Sequence, residues 1–188
     1  MAYSHAKTVT KKALEHSLIK LLVDKPLDAI SVNEITTGAR LTRSSFYRYF
    51  DDKYDLVESI EKDLLQEMVE AHIERNPFAL NGGAMATGLK FYRKRADRFA
   101  SLLGPNGDRS FEYKIKKQLS KDFDQQYAWE DLTLKERYLE DAMLDLGMNM
   151  VKFWVTNPAM SEADMVEVIY GIMESGPTAT MKKLLNES

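Results

Sequence analysis

Residues 31–53 read SVNEITTGARLTRSSFYRYFDDK, and the organisation of the whole chain follows from this stretch. Ser31 with Glu34 three residues on is a capping box, which predicts a helix start there. Val32, Ile35 and Ala39 recur at intervals of three and four and give that helix one apolar face. A turn follows over Ala39 to Thr42, with Leu41 as its inward-pointing residue. Thr42 is suited to cap the next helix, because its hydroxyl can accept from a backbone N–H in the first turn. On that second helix Phe46 and Phe50 stand four apart and face a core. Arg43, Ser44, Ser45, Tyr47, Arg48 and Tyr49 are left outside.

A short helix with a packed back and a front of Arg, Ser and Tyr suits the major groove of DNA. An Arg-Ser-Ser helix start is also what a merely solvated cap looks like. The run Phe46-Tyr47-Arg48-Tyr49-Phe50, with Lys53 beyond it, argues for the first reading. Two Tyr and two Arg on one short helix are poor core material and poor loop material.

With these residues in place, Ile30 to Leu56 resembles the DNA-binding domain of the TetR family of bacterial transcriptional regulators, and the likeness extends from Thr8 to Ile60. It is carried by Thr42, the pair Ser44-Ser45, Phe46-Tyr47, Arg48, Tyr49-Phe50 and Lys53. Two positions depart from the family pattern: Arg40 stands where Gly is usual in the turn, and Thr36 where Ala is usual. Arg40 must then either tolerate a positive φ or shift the turn slightly, at a cost of about 1 kcal/mol. The resemblance implies a homodimeric regulator, a repressor, on palindromic double-stranded operator DNA. By the same resemblance Arg43, Ser44 and Arg48 read base edges. Ser45, Tyr47, Tyr49 and Lys53 hold phosphates, and Thr42 places the helix N-terminus.

Charge distribution agrees. Overall charge is −3, yet residues 1–50 carry eight Lys and Arg against four acids, so a +4 head sits on a −7 body. A mean hydropathy of −0.40 and the lack of any 18-residue apolar run argue against a membrane span. The N-terminus MAYSHAKTVTKK has no apolar signal segment, and there is no cysteine, which fits a reducing cytoplasm.

Outward from the motif, helix 1 is expected from Thr8 to Asp24 on the stripe Leu14, Leu18, Leu21 and Leu22, with Pro26 as its stop. Lys7 and Lys11 on it are either DNA-backbone contacts or solvated. The acids Asp51, Asp52 and Asp55 favour a helix start after Phe50. Val57, Ile60, Leu64, Met68 and Ala71 extend that helix to about Arg75, before a loop marked by Pro77 and Asn81-Gly82-Gly83. One helix is read from Ala84 through KFYRKRADRFASLL, with Lys90, Arg93, Lys94, Arg95 and Arg98 as a solvated face. A loop at Gly104 to Asp108 precedes a short helix on Phe111, Ile115 and Leu119; residues 120–134, with Trp129, give no clear pattern.

Two last helices carry apolar residues on more than one face. Lys135–Asn157 has the stripe Leu139, Met143, Leu146, Met150 and Phe153, and a second of Leu144, Met148, Val151 and Val155 beside Gly147. Ser161–Ser175 has Val166, Ile169 and Met173 on one face and Met165, Val168 and Ile172 on another. A helix apolar on two faces is buried on both, and a second copy of the chain most simply covers the outer one. These two helices are thus the expected dimer interface, which a charge at Val151 or Ile169 should break. Gly176-Pro177 ends the second of them.

The expected fold is all-α with about nine helices: a helix-turn-helix head over residues 1–53 and a dimerisation and effector-binding body over 54–188. Met85, Phe91, Phe99, Met143, Met148 and Trp154 are candidates for lining a pocket for a small apolar effector, since Met adapts to irregular shapes. Each is equally suited to ordinary core. The alternative is a body that binds a protein partner. No catalytic, cofactor or metal site is expected, because His5, His16 and His72 are scattered and neither Ser44 nor Ser45 has a base nearby.

Overall fold

The computed structural model describes residues 2–73, 82–127 and 131–186. Among them are ten α-helices, a single-turn 3-10 helix at Leu27–Ala29, and no strand. The helices are α1 Ala2–Asp24, α2 Val32–Gly38, α3 Arg43–Tyr47, α4 Lys53–Ile73, α5 Gly82–Arg93, α6 Ala96–Leu103, α7 Phe111–Tyr127, α8 Leu134–Thr156, α9 Glu162–Ser175 and α10 Pro177–Asn186. Arg75, Pro77, Asn81 and Trp129 lie outside the described residues, as does the side chain of His72.

The all-α expectation holds, with ten helices in place of about nine. The stretch from Ala84, read as one helix, is broken at Lys94–Arg95, where Arg95 leaves helical geometry (φ −121°, ψ 21°). No Gly or Pro marks the break. The bend brings Tyr92 and Phe99 edge-to-face, ring centroids 5.2 Å apart, at the price of one interrupted hydrogen-bond ladder. The tail after Gly176 is also a helix, entered through the positive φ of Gly176 (81°) with Pro177 at its first position.

The basic run is only in part the solvated face expected: Lys90 and Lys94 are exposed, while Arg93, Arg95 and Arg98 are half-buried. Arg95 and Arg98 both pair with Glu67 of α4, Lys90 with Glu162, and the Arg93 guanidinium lies 3.5 Å over the Trp154 ring. Arg93 also donates to the carbonyls of Asn157 and Met160, stitching α5 to the α8–α9 turn.

One apolar cluster runs through head and body. Leu14, Leu18 and Leu22 of α1 meet Ile35, Phe46, Phe50 and the buried stripe of α4, Val57, Ile60, Leu64 and Met68. It continues through Phe99, Leu102, Phe111 and Ile115 to Leu144 and Met148 of α8 and Met165 and Ile169 of α9. Each such side chain contributes roughly 1.5–3 kcal/mol, so this burial outweighs any single cap or ion pair. The 104–108 loop also ties the body to the head: Leu27 N–H donates to Asn106 O (3.0 Å), and Asn106 Nδ2 to Val23 O (3.4 Å). Gly107 is required there, since a Cβ would stand 2.2 Å from Leu102 O.

The head's turn closes as a Schellman motif. Leu41 N–H donates to Thr36 O (2.8 Å) and Arg40 N–H to Thr37 O (3.1 Å), with Arg40 at φ 56°. Of the two outcomes, the positive φ is the one Arg40 takes, and it is strain. Arg40→Gly should raise stability by about 0.5–1 kcal/mol, the relieved left-handed strain less the added freedom of the unfolded chain. Urea unfolding should show a higher midpoint at unchanged slope; an unchanged or lower midpoint would remove the strain argument.

Candidate nucleic-acid interface

The two helices of the motif are set by their caps. Ser31 Oγ accepts from Glu34 N–H (3.3 Å) while the Glu34 carboxylate accepts from Ser31 N–H (2.9 Å). The same carboxylate pairs with Lys25, and these bonds hold its pKa down at about 2, the Lys25 bond contributing most. The capping box therefore stays charged well into acid.

Thr42 is the N-cap of α3, its Oγ1 accepting from Ser45 N–H at 3.2 Å. The Ser44 and Ser45 hydroxyls stand 3.0 and 2.9 Å from that same oxygen, so three hydroxyls cluster at the helix start. α3 ends at Tyr47, sooner than expected, but Phe50 N–H still bonds Phe46 O (3.1 Å) and keeps the two rings on one side. Phe46 is fully buried and Phe50 nearly so, with ring centroids 5.7 Å apart. Lys11 of α1 places its ammonium 4.9 Å over the Phe50 ring.

The opposite face is free. Arg43, Ser44, Tyr47 and Arg48 are exposed, and Ser45 and Tyr49 are half-buried. Arg43 Nη2 donates to Tyr47 OH at 3.3 Å, laying the guanidinium beside the ring, so the two side chains project together. Five of the eight residues expected to meet DNA thus stand exposed on one short segment: these four and Thr42.

Lys53 sits differently. Its ammonium donates to the carbonyls of Asp28 (2.7 Å) and Ile30 (2.8 Å), which spends two of its three N–H groups. Lys53 therefore locks the start of α4 to the chain entering α2, with one donor left for a phosphate. No periodicity could reveal this bond, because its partners lie 23 and 25 residues back. Beside it Asp52 caps α4, accepting from Tyr54 and Asp55 N–H, as the acid cluster predicted.

Residues 17–60 match the family model for bacterial regulatory proteins of the tetR family, and this segment contains the whole helix-turn-helix. By this match the head is a TetR-type DNA-binding domain. A 58-residue match is 29% identical to YxbF, an uncharacterised HTH-type transcriptional regulator of Bacillus subtilis; it takes in 31% of this chain and only 15% of that protein. The fold is similar to the crystal structure of a TetR transcriptional regulator from Streptococcus agalactiae. The TM-score is 0.63 and the identity 21%, over 92% of this chain and 97% of that one.

The body holds an apolar cleft of about 120 Å³ between α5, α8 and α9. Met85, Met143 and Met148 of the six expected lining residues border it, joined by Leu89, Leu146 and Ile169. The other three are placed elsewhere, which corrects the expected set. Phe99 is core, packed on Tyr92 and Phe111; Phe91 lies under the Arg95 guanidinium; Trp154 donates Nε1–H to Leu89 O (2.8 Å) beneath Arg93. Polar groups on their neighbours claim Phe91 and Trp154, and the sequence pattern does not register that.

The two apolar stripes read on α8 differ in exposure. Leu139, Leu146 and Phe153 are exposed, while Leu144, Met148 and Val155 of the other stripe are buried within the subunit. On α9 the buried residues are Met165 and Ile169, one from each expected face, so neither face as read is wholly inside or outside. No described helix is long and apolar enough to cross a membrane.

Proposed function

We propose that this protein is a regulator of the TetR family, a homodimeric repressor that binds palindromic operator DNA through α3 and is released by a small apolar effector. Residues 1–53 form the DNA-binding part and residues 54–188 the dimerisation and effector-binding part, acting in the cytoplasm. The observation that carries the reading is the split of α3 into a fully buried Phe46 and an exposed, mutually braced pair of Arg43 and Tyr47. In the major groove Arg43 supplies bidentate contacts to guanine, with Ser44 and Arg48 beside it. Thr42, Ser45, Tyr47, Tyr49 and the remaining proton of Lys53 are the phosphate contacts. The dimer is built on Lys135–Asn157 and Ser161–Ser175, supported by the exposed stripe Leu139, Leu146 and Phe153. The apolar cleft favours the effector over a protein partner: its space suits a single-ring apolar ligand.

Selection from a random duplex library should return a palindromic site. Arg43→Ala should then relax preference at one base per half-site, by about 1–3 kcal/mol. Lys53→Ala should weaken all sequences alike and also lower the melting temperature, because it frees the Asp28 and Ile30 carbonyls. A library showing no enrichment above non-specific binding, or unchanged operator affinity in both variants, would overturn the assignment.

A further inference from the structure

Arg40 holds φ at 56° in the turn between α2 and α3. Glycine takes that conformation freely and asparagine readily, whereas a long side chain is penalised in it. Strain kept at one residue points to a use for its side chain. Core packing does not supply the use, because Arg40 is exposed while its neighbour Leu41 turns inward against the core. An ion pair does not supply it either: among the described residues no carboxylate pairs with the Arg40 guanidinium. A side chain that is merely solvated gives no return for the strain, since asparagine or glycine would leave the same turn intact.

Its place in the chain is a second observation. Arg40 stands two residues before Thr42, the cap of α3, so at about 3.8 Å per residue the two Cα atoms lie within about 8 Å. Thr42, Arg43 and Ser44 are all exposed and belong to the face read as meeting DNA. Lys53, the cation expected to hold a phosphate there, has two of its three N–H groups committed to the Asp28 and Ile30 carbonyls. A guanidinium carries five donors in a fixed fork that matches a phosphate.

We propose that Arg40 is a further DNA contact of the head: its guanidinium clamps a backbone phosphate beside the start of α3, and the strained turn is what presents it there. The inference rests on the operator reading and extends it by one residue per subunit. A backbone contact carries no sequence information, so Arg40 adds affinity and register but no base preference. Stability and binding are then opposed at this position, because glycine relieves the strain and removes the clamp.

Duplex binding by the full chain tests this, measured against salt on the palindrome selected from a random library and on a scrambled duplex of equal length. Each neutralised phosphate adds about 0.9 to the slope of log K against log salt, which is about eightfold in affinity at about 0.1 M salt. Two subunits therefore give about sixtyfold and a slope change of about 1.8. Arg40→Gly and Arg40→Asn should each lose roughly that much on both duplexes and flatten the slope accordingly. In Arg40→Gly the loss comes with a higher urea midpoint, so a damaged head cannot be its cause. Arg40→Lys keeps a cation on the same backbone and should keep the slope. Unchanged affinity and slope in Arg40→Gly would overturn the proposal. A loss confined to the palindrome would overturn it as base readout, and an equally flattened slope in Arg40→Lys would overturn it as an effect of turn geometry. Arg43→Ala separates the two readings: if it relaxes base preference while Arg40→Gly changes nothing, only the Arg40 contact falls, and if the wild-type protein enriches no site, both fall.

Discussion

Phe153→Glu should convert the protein to a folded monomer and lower operator affinity at least a hundredfold. Phe153 is 48% exposed, and Leu139 and Leu146 lie on the same stripe of α8 at 60% and 37%. Three large apolar side chains in register on one helix leave a contiguous patch that a second copy would bury. A carboxylate placed in that seam must be desolvated opposite its own symmetry mate, so the penalty is counted twice per dimer. Within the subunit Phe153 is not core, so helicity and melting behaviour of the monomer should stay close to normal. Operator affinity falls because one half-site supplies half the contacts and the second binding event is no longer intramolecular. The sites first suggested by periodicity are poorer probes. Ile169 is 7% exposed inside its own subunit, and Val151 is half-buried beside the apolar cleft, so a charge at either also damages the fold. Sedimentation checks the result: a wild-type monomer at micromolar concentration, or a dimeric Phe153→Glu, would end the dimer proposal on this face.

Phe46→Ala should cost about 3–5 kcal/mol, the range for emptying a fully buried aromatic site. Phe46 has no exposure and packs against Phe50 and the edge of Tyr47 within the core that joins α1, α2 and α4. Its ring is the back of the recognition helix, so losing it lets α3 tilt or unfold and should abolish specific DNA binding. Tyr47→Ala is the matched control. That residue is 49% exposed, so stability should move by less than about 1 kcal/mol while operator affinity still drops. Urea titration with a duplex-binding assay separates the two. A Phe46→Ala protein within about 1 kcal/mol of wild type would mean the head is not packed as described.

What the sequence determined by itself is what depends on neighbours within about four residues. The Ser31–Glu34 capping box, the Thr42 and Ser161 caps and the acid-capped start of α4 all formed as their residues dictate. Hydrogen bonds and sterics at that range are fixed by residue type and spacing. The stripes on α1 and α4 were equally legible, because a single apolar stripe can only turn inward. Tertiary structure decided everything that needed a distant partner. Lys53 bonds carbonyls in the preceding turn, Arg95 and Arg98 find Glu67 across the body, and Trp154 is claimed by Leu89 and Arg93. On α8 periodicity supplied two apolar stripes, but only the packing of α5, α6 and α7 against it determined which one stayed outside. Amphipathicity records that a face must be covered; which element covers it is a property of the folded chain, since the energy of burial is non-directional and carries no address.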